Sequence, residues 1–297
     1  MLSAPLPKTK TSLSKKISII SYESAAGRTM LARNLFAYCL KKSPVPVQLA
    51  GYDIEKPDLL HGFEKLKFTA VEIFAGFPRV DSNRCRYCGS CVKHCSCGAL
   101  QLDRLRPAVT INPEKCEACG ECTEACPSHG ISSRERLTGY ILHGRLNGHS
   151  ILIGKGAPDH NYLLPLVNSL NECLNPAFLA ICDLGPGNSS YVTTALKGSS
   201  LAIILLNPAR GWKRNTRFLL DILKDHTIPF AIVINKYRKE EGFLREVTDF
   251  CRMESVPLLG IIPYSADLRG EKSCNFNDCN SEMETIFAAI LEGAVGL

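Results

Sequence analysis

Eight of the nine cysteines between residues 85 and 126 carry the most specific chemistry in this 297-residue chain. Cys85, Cys88, Cys91 and Cys95 follow the spacing C-x2-C-x2-C-x3-C; Cys116, Cys119, Cys122 and Cys126 repeat it, and Pro127 closes the second run. Soft thiolates select iron-sulfur clusters or zinc, and two successive runs at this spacing are the ligand pattern of a protein with two 4Fe-4S clusters. In that pattern the fourth cysteine of each run ligates the other cluster. Cys85, Cys88, Cys91 and Cys126 are therefore assigned to one cluster, and Cys95, Cys116, Cys119 and Cys122 to the second. Zinc is the competing reading, because two C-x2-C pairs can make a tetrahedral four-cysteine site. Three cysteines at regular spacing, twice over, are far more specific than a zinc ribbon. The first run departs in one respect: Ser96 and Cys97 follow Cys95 where the second run has Pro127. Cys97 is thus an alternative to Cys95 as ligand, and is read here as a bystander near the cluster.

A second, weaker chemistry lies in residues 21–29. An apolar stretch at 16–21 runs into a small-residue loop that ends in Gly27, Arg28 and Thr29, and an amphipathic run follows at 30–42. Strand, loop and helix start are the parts of a phosphate-binding loop, in which backbone N–H groups and a helix N-terminus face the phosphates. A full loop of that kind has a Lys where Arg28 stands and glycines where Ser24, Ala25 and Ala26 stand. A plain strand-to-helix connection competes with the nucleotide reading. Asp183, closing another apolar stretch and followed by Gly185 and Gly187, can hold Mg2+ through water, or can belong to an ordinary Gly/Pro turn. Asn235 is a base-reading amide or a helix cap.

These residues must be positioned by the elements around them. Short apolar stretches at 16–21, 45–50, 178–184, 201–206, 230–235 and 258–262 alternate with helical runs at 30–42, 160–174, 190–196, 213–225, 241–252 and 281–291. Such alternation predicts an α/β fold, a mostly parallel sheet with helices on both faces. Residues 138–145 and 150–153 form a predicted hairpin across Asn147-Gly148. The expected organisation is a basic, disordered leader over 1–15, a scaffold in two parts over 16–78 and 137–297, and a small cysteine-rich α+β insert over 79–136.

Composition narrows the function classes. The formal charge is +6, from 35 Lys+Arg and 29 Asp+Glu. Lys8, Lys10, Lys15 and Lys16 lie in an acid-free leading segment, so the folded body is near balance and no nucleic-acid surface is expected. No apolar run is long enough to span a membrane, and no apolar stretch of a secretion signal precedes residue 16. Eight of the 15 cysteines stand in metal-ligand spacing, which points to a reducing cytoplasm. Cys39, Cys173, Cys182 and Cys251 read as core residues. Cys274 and Cys279 fit a thiol pair or an auxiliary metal site, with free thiols the preferred reading.

Taken together, the motifs resemble the MinD-superfamily P-loop ATPases that carry an inserted bacterial-type ferredoxin domain, and the resemblance spans nearly the whole chain. It rests on the degenerate loop 21–29, on Asp53 to Asp58 as the first switch stretch, and on Asp183-Leu-Gly-Pro-Gly187 as the second. Asn235-Lys236 matches the adenine-side pair, and residues 256–264 match the family's Pro-x-x-Gly-x-Ile-Pro-Tyr. The resemblance implies a deviant P-loop fold, dimeric assembly, and a nucleotide site at Gly27, Arg28, Thr29, Asp183 and Asn235. It also exposes departures: Glu23 stands where the family has a second Lys, Arg28 where it has the loop Lys, and Gly51 where it has a water-orienting Asp. Three losses together predict at most a weak ATPase. The expected function is electron transfer by the cluster domain to a redox partner protein, with ATP and Mg2+ binding in doubt. A homodimer, or a heterodimer with an ATP-competent relative, is the expected assembly, without stable membrane insertion. A scaffold that assembles clusters for a client is the alternative.

Overall fold

The computed structural model describes residues 15–158, 163–187, 190–239, 241–264 and 281–295. Cys274, Cys279 and nearly all of the expected leader lie outside the described residues. In chain order the first elements are β1 (Lys16–Ile20), α1 (Arg28–Lys42), β2 (Val47–Gly51) and β3 (Thr69–Val80). The cysteine segment follows, with α2 (Ser90–Lys93), β4 (Leu100–Asp103), β5 (Ala108–Ile111) and α3 (Glu121–Glu124). The chain returns through β6 (Ile131–Leu146), β7 (His149–Gly156), α4 (Leu164–Glu172), β8 (Leu179–Asp183) and α5 (Ser190–Leu196). It ends with β9 (Leu201–Leu206), α6 (Trp212–Asp225), β10 (Phe230–Tyr237), α7 (Glu241–Met253), β11 (Leu258–Pro263) and α8 (Ser281–Val295).

Nine strands form one sheet in the order β11-β10-β9-β1-β8-β2-β7-β6-β3. From β11 to β7 the pairs are parallel, and β6 and β3 add antiparallel strands at one edge. The central strands β1, β2, β8 and β9 are buried along their whole length and mostly apolar because both faces are covered. On β9, Leu201, Ile203 and Leu205 pack against α1 and α8, while Ala202, Ile204 and Leu206 pack against the opposite core. That second core takes Leu166 and Leu170 from α4, Leu219 and Leu223 from α6, and Val247 and Phe250 from α7. Chain direction across the sheet reverses at β1 and β8, which are adjacent, and their carboxyl ends are the place where such sheets bind ligands.

The predicted hairpin is β6–β7, with Asn147 at φ 49° and Gly148 at φ 84°, the two left-handed residues that a type I′ turn requires. Its strands are longer than the sequence indicated. β3 and β6 pair continuously from Thr69–His143 to Val80–Ile131, running through 78/79 and 136/137. The insert therefore joins the scaffold by a two-stranded ribbon. A bulge interrupts the ribbon at Ile73/Phe74, opposite Thr138, and the buried Thr138 hydroxyl donates to the Ile73 carbonyl at 2.8 Å. Beyond that point β6 has left β7, and Phe77, Val80 and Ile131 turn their side chains into the cysteine segment.

Lys16 opens β1, the buried strand expected at 16–21, and only its inclusion among the charges of the leading segment is corrected: it is 3% exposed, and its ammonium donates to Asn171 Oδ1 (2.9 Å), the Ala195 carbonyl (2.6 Å) and the Lys197 carbonyl (2.9 Å). Burial lowers its pKa, offset in part by the Cys182 thiol.

Candidate functional site

The cysteine segment is built twice. Every residue from Cys85 to Cys95 has a counterpart 31 positions later, Cys85 with Cys116 and Cys95 with Cys126. The backbone repeats as well. Tyr87 and Ala118, Gly89 and Gly120, and Gly98 and His129 all take positive φ, between 51° and 85°. A left-handed residue ahead of each short helix turns the loop so that successive thiols face one compartment. Sulfur hydrogen bonding follows the same repeat: Ala99 N–H donates to Cys95 Sγ at 3.2 Å and Gly130 N–H to Cys126 Sγ at 3.2 Å.

The cysteines form two groupings that meet at Cys122. Cys95, Cys116, Cys119 and Cys122 line one cavity, with Cys97 in its wall and Pro78 of the ribbon closing one side. Cys91 and Cys126 lie in a cluster with Cys122, Leu100 and Ile131, Cys95 packs against it, and Cys85 is close enough to Cys91 to perturb it electrostatically. Among the described residues no three His, Cys, Asp or Glu side chains converge on a single ion position. Burial pushes Cys116 up to about 11. Burial also acts on Cys126, but the Ser128 hydroxyl and the N–H groups of Gly130, Ser128 and Ile131 outweigh it and hold that thiol below its usual value. Oriented N–H donors at sulfur stabilise thiolate and tune cluster potential, so this donor set fits iron-sulfur ligation. Cys97 Sγ lies 3.6 Å from Cys95 Sγ, and Ser128 Oγ lies 3.7 Å from Cys126 Sγ, again 31 residues apart. The sequence carried that signal: overlaying the two runs sets Cys97 on Ser128, which places it beside a ligand position.

The loop between β1 and α1 sits at the carboxyl end of the sheet with Asp53, Asp183 and Asn235. Gly27 ends it at φ 98°, and a Cβ there would collide with the Asn235 amide. Arg28, 4% exposed, turns back into the loop. Its Nη1 donates to Ser21 Oγ at 2.6 Å and to the Glu23 carbonyl at 2.9 Å, while Nη2 lies 3.5 Å from Asp53 Oδ2. Glu23 receives Asn215 Nδ2 at 3.1 Å, and Asn235 gives its own Nδ2 to the Ala26 carbonyl at 2.7 Å. Thr29 Oγ1 donates to Asp183 Oδ2 at 2.7 Å. Asp183 Oδ1 is buried and has no partner.

For a nucleotide these residues fit in part. An orphaned carboxylate oxygen beside a Thr hydroxyl suits a hydrated divalent cation. A guanidinium engaged with its own loop and with Asp53 does not reach outward to phosphate. Gly51, where the resemblance places a catalytic Asp, is covered: a Cβ there would stand 3.0 Å from Leu59 Cδ2. Sequence reasoning singled out Arg28, Thr29, Asp183 and Asn235 but missed the partners Ser21 and Asn215.

Residues 84–130 match the 4Fe-4S dicluster domain family. No curated protein matches the chain. Solved structures match nearly all of it: MinD cell division protein of Aquifex aeolicus has 16% identity and a TM-score of 0.51, covering 95% of this chain and 97% of that one. Septum site-determining protein MinD of Pyrococcus horikoshii OT3, complexed with Mg-ADP, has 16% identity and a TM-score of 0.52, covering 94% and 95%. A ParA family ATPase of Chlorobium tepidum TLS has 12% identity and a TM-score of 0.51, covering 96% and 100%. The class is thus a MinD/ParA-like P-loop NTPase fold. Within it, this chain carries a ferredoxin-like 4Fe-4S dicluster domain.

Proposed function

We propose that the chain is a cytoplasmic electron-transfer protein, a two-cluster ferredoxin module on a MinD-like scaffold whose ATPase activity is weak or lost. The repeated loop geometry of the insert, with matched N–H donors at Cys95 and Cys126, carries this reading. In it Cys85, Cys88, Cys91 and Cys126 hold one 4Fe-4S cluster and Cys95, Cys116, Cys119 and Cys122 the other. The clusters supply one-electron chemistry when bound, and the chain's residues fix the ligand positions, set the charge around them and exclude water.

Support for weak ATPase activity comes from Arg28, whose guanidinium is engaged with Ser21, Glu23 and Asp53. Residual nucleotide binding through Gly27, Thr29, Asp183 and Asn235 then regulates docking of a redox partner. An ATP-competent relative, paired with this chain as a heterodimer, would complete a composite site; a homodimer would not supply the missing Lys. Among the described residues no helix is long and apolar enough to cross a membrane. A cluster-assembly scaffold is the second reading, and the Cys97 thiol beside Cys95 is what favours it.

Anaerobic purification, iron and sulfide analysis and EPR of the reduced protein, with and without Mg-ATP, test the proposal. Reversible reduction at about eight irons per chain supports it. Rapid ATP hydrolysis by the chain alone overturns the weak-ATPase part, and transfer of its iron to an apo-protein favours the scaffold.

A further inference from the structure

The two halves of the cysteine segment share a backbone but reverse in charge. Arg86, inside the loop from Cys85 to Cys88, has Glu117 as its counterpart between Cys116 and Cys119. Ser90 has Glu121, and Lys93 has Glu124. Between residues 83 and 93 stand Arg84, Arg86 and Lys93 with no acid, whereas residues 114–124 carry Glu114, Glu117, Glu121 and Glu124 against Lys115 alone. Arg84 is partly spent on Asp81, 3.7 Å away, and Arg86 and Lys93 are exposed.

Cluster potential responds to net charge, to hydrogen bonds at sulfur and to exposure. The repeated backbone donors are matched, Ala99 N–H to Cys95 and Gly130 N–H to Cys126 both at 3.2 Å, while Cys126 takes further N–H groups from Ser128 and Ile131 that favour negative charge on its side. Two further differences act in the same direction. Positive charge beside Cys85, Cys88 and Cys91 favours an added electron there, and negative charge beside Cys116, Cys119 and Cys122 opposes one. A hydroxyl is also a stronger donor than a thiol, and Ser128 serves Cys126 where Cys97 serves Cys95.

We infer that the reversed loop charges give the module a direction: its Arg86 side is the more easily reduced end, where an electron admitted at the Glu117 side comes to rest. The inference rests on the two-cluster reading proposed above. Each transfer takes one electron from a low-potential one-electron donor, which is oxidised as the module is reduced; no bond is made or broken.

The test uses the full chain, purified anaerobically and titrated with dithionite under EPR. Iron is counted first, and about four irons in the native chain defeats the two-cluster reading itself rather than the inference. With about eight, two midpoint potentials are expected. Arg86→Glu lowers the higher one and leaves the other, Glu117→Arg raises the lower one, and each narrows the gap. Raising the ionic strength narrows it in the native chain as well, since exposed charges are screened. Coincident native midpoints, or a gap that Arg86→Glu widens, overturn the inference. Should either charge reversal lose iron, Arg86→Gln and Glu117→Gln with the salt titration are judged by the same criterion.

Discussion

The Arg28 guanidinium lies 3.5 Å from the Asp53 carboxylate, across the space that separates the β1–α1 loop from the end of β2. Burial raises the Asp53 pKa, and Arg28 pulls it back down. Arg28 is therefore a structural partner of Asp53.

Removing one member of that pair leaves the other buried without its counter-charge. Arg28→Met is expected to destabilise the protein by about 1–3 kcal/mol, whereas Asp53→Asn should cost less, because burial already raises that carboxyl despite Arg28. The double variant should cost clearly less than the sum, because both charges leave together. Anaerobic denaturant titration of the four proteins gives the coupling energy, and strict additivity would show that the pair is not engaged.

Asp183 predicts a pH dependence. Burial pushes its carboxyl from 3.8 up to about 6, opposed first by the Thr29 hydrogen bond and then by the Arg28 charge. A group raised in the folded state binds more protons there than in the unfolded chain between those two values. Stability thus falls as pH rises from about 4 to about 6, and the deficit persists above. Asp183→Asn, which keeps an acceptor for Thr29, should stabilise the protein by on the order of 2–3 kcal/mol at pH 7.5 and by about half as much at pH 5. Equal effects at the two pH values would place the Asp183 titration elsewhere.

What the sequence made legible was whatever a few neighbouring residues determine. The mostly apolar strands, the Asn147-Gly148 turn and the cysteine spacing are local signals, and the structure has the corresponding elements. The ribbon was not legible beyond Phe74, because Gly76 and Pro78 interrupt the strand pattern. Pro78 is tolerated since β3 is the outermost strand and needs no donor on its open side. Nor could the sequence place Lys16 or Arg28. The acceptors of Lys16 lie 155 to 181 residues away in the chain, and the Asp53 that Arg28 meets lies on the far side of β8.

Lys16 is the next test of such long-range burial. Its ammonium satisfies two backbone carbonyls at the end of α5 as well as the Asn171 amide oxygen, which also accepts from the Tyr52 hydroxyl. Lys16→Met removes the cost of burying a charge but orphans the Ala195 and Lys197 carbonyls, each worth about 1–3 kcal/mol. A net loss of about 2 kcal/mol is expected from the denaturation midpoint. Lys15→Met, one residue earlier and only partly buried, should change stability by no more than about 0.5 kcal/mol. Equal small effects at both positions would mean that Lys16 is solvated.

Cys97 is the last residue whose role a direct measurement can fix. It lines the same cavity as Cys95, Cys116, Cys119 and Cys122, but the repeat pairs it with Ser128, not with a ligand. Cys97→Ser reproduces the hydroxyl that Ser128 already offers at the matching position, so iron should stay at about eight per chain. Cys119→Ala removes an assigned ligand and should bring the count to about four if the compartments load independently. Cys95→Ala discriminates further: an unchanged count there, with loss in the Cys95→Ala/Cys97→Ser double variant, would make Cys97 a substitute ligand. Iron and sulfide analysis of the anaerobically purified variants reads all three outcomes.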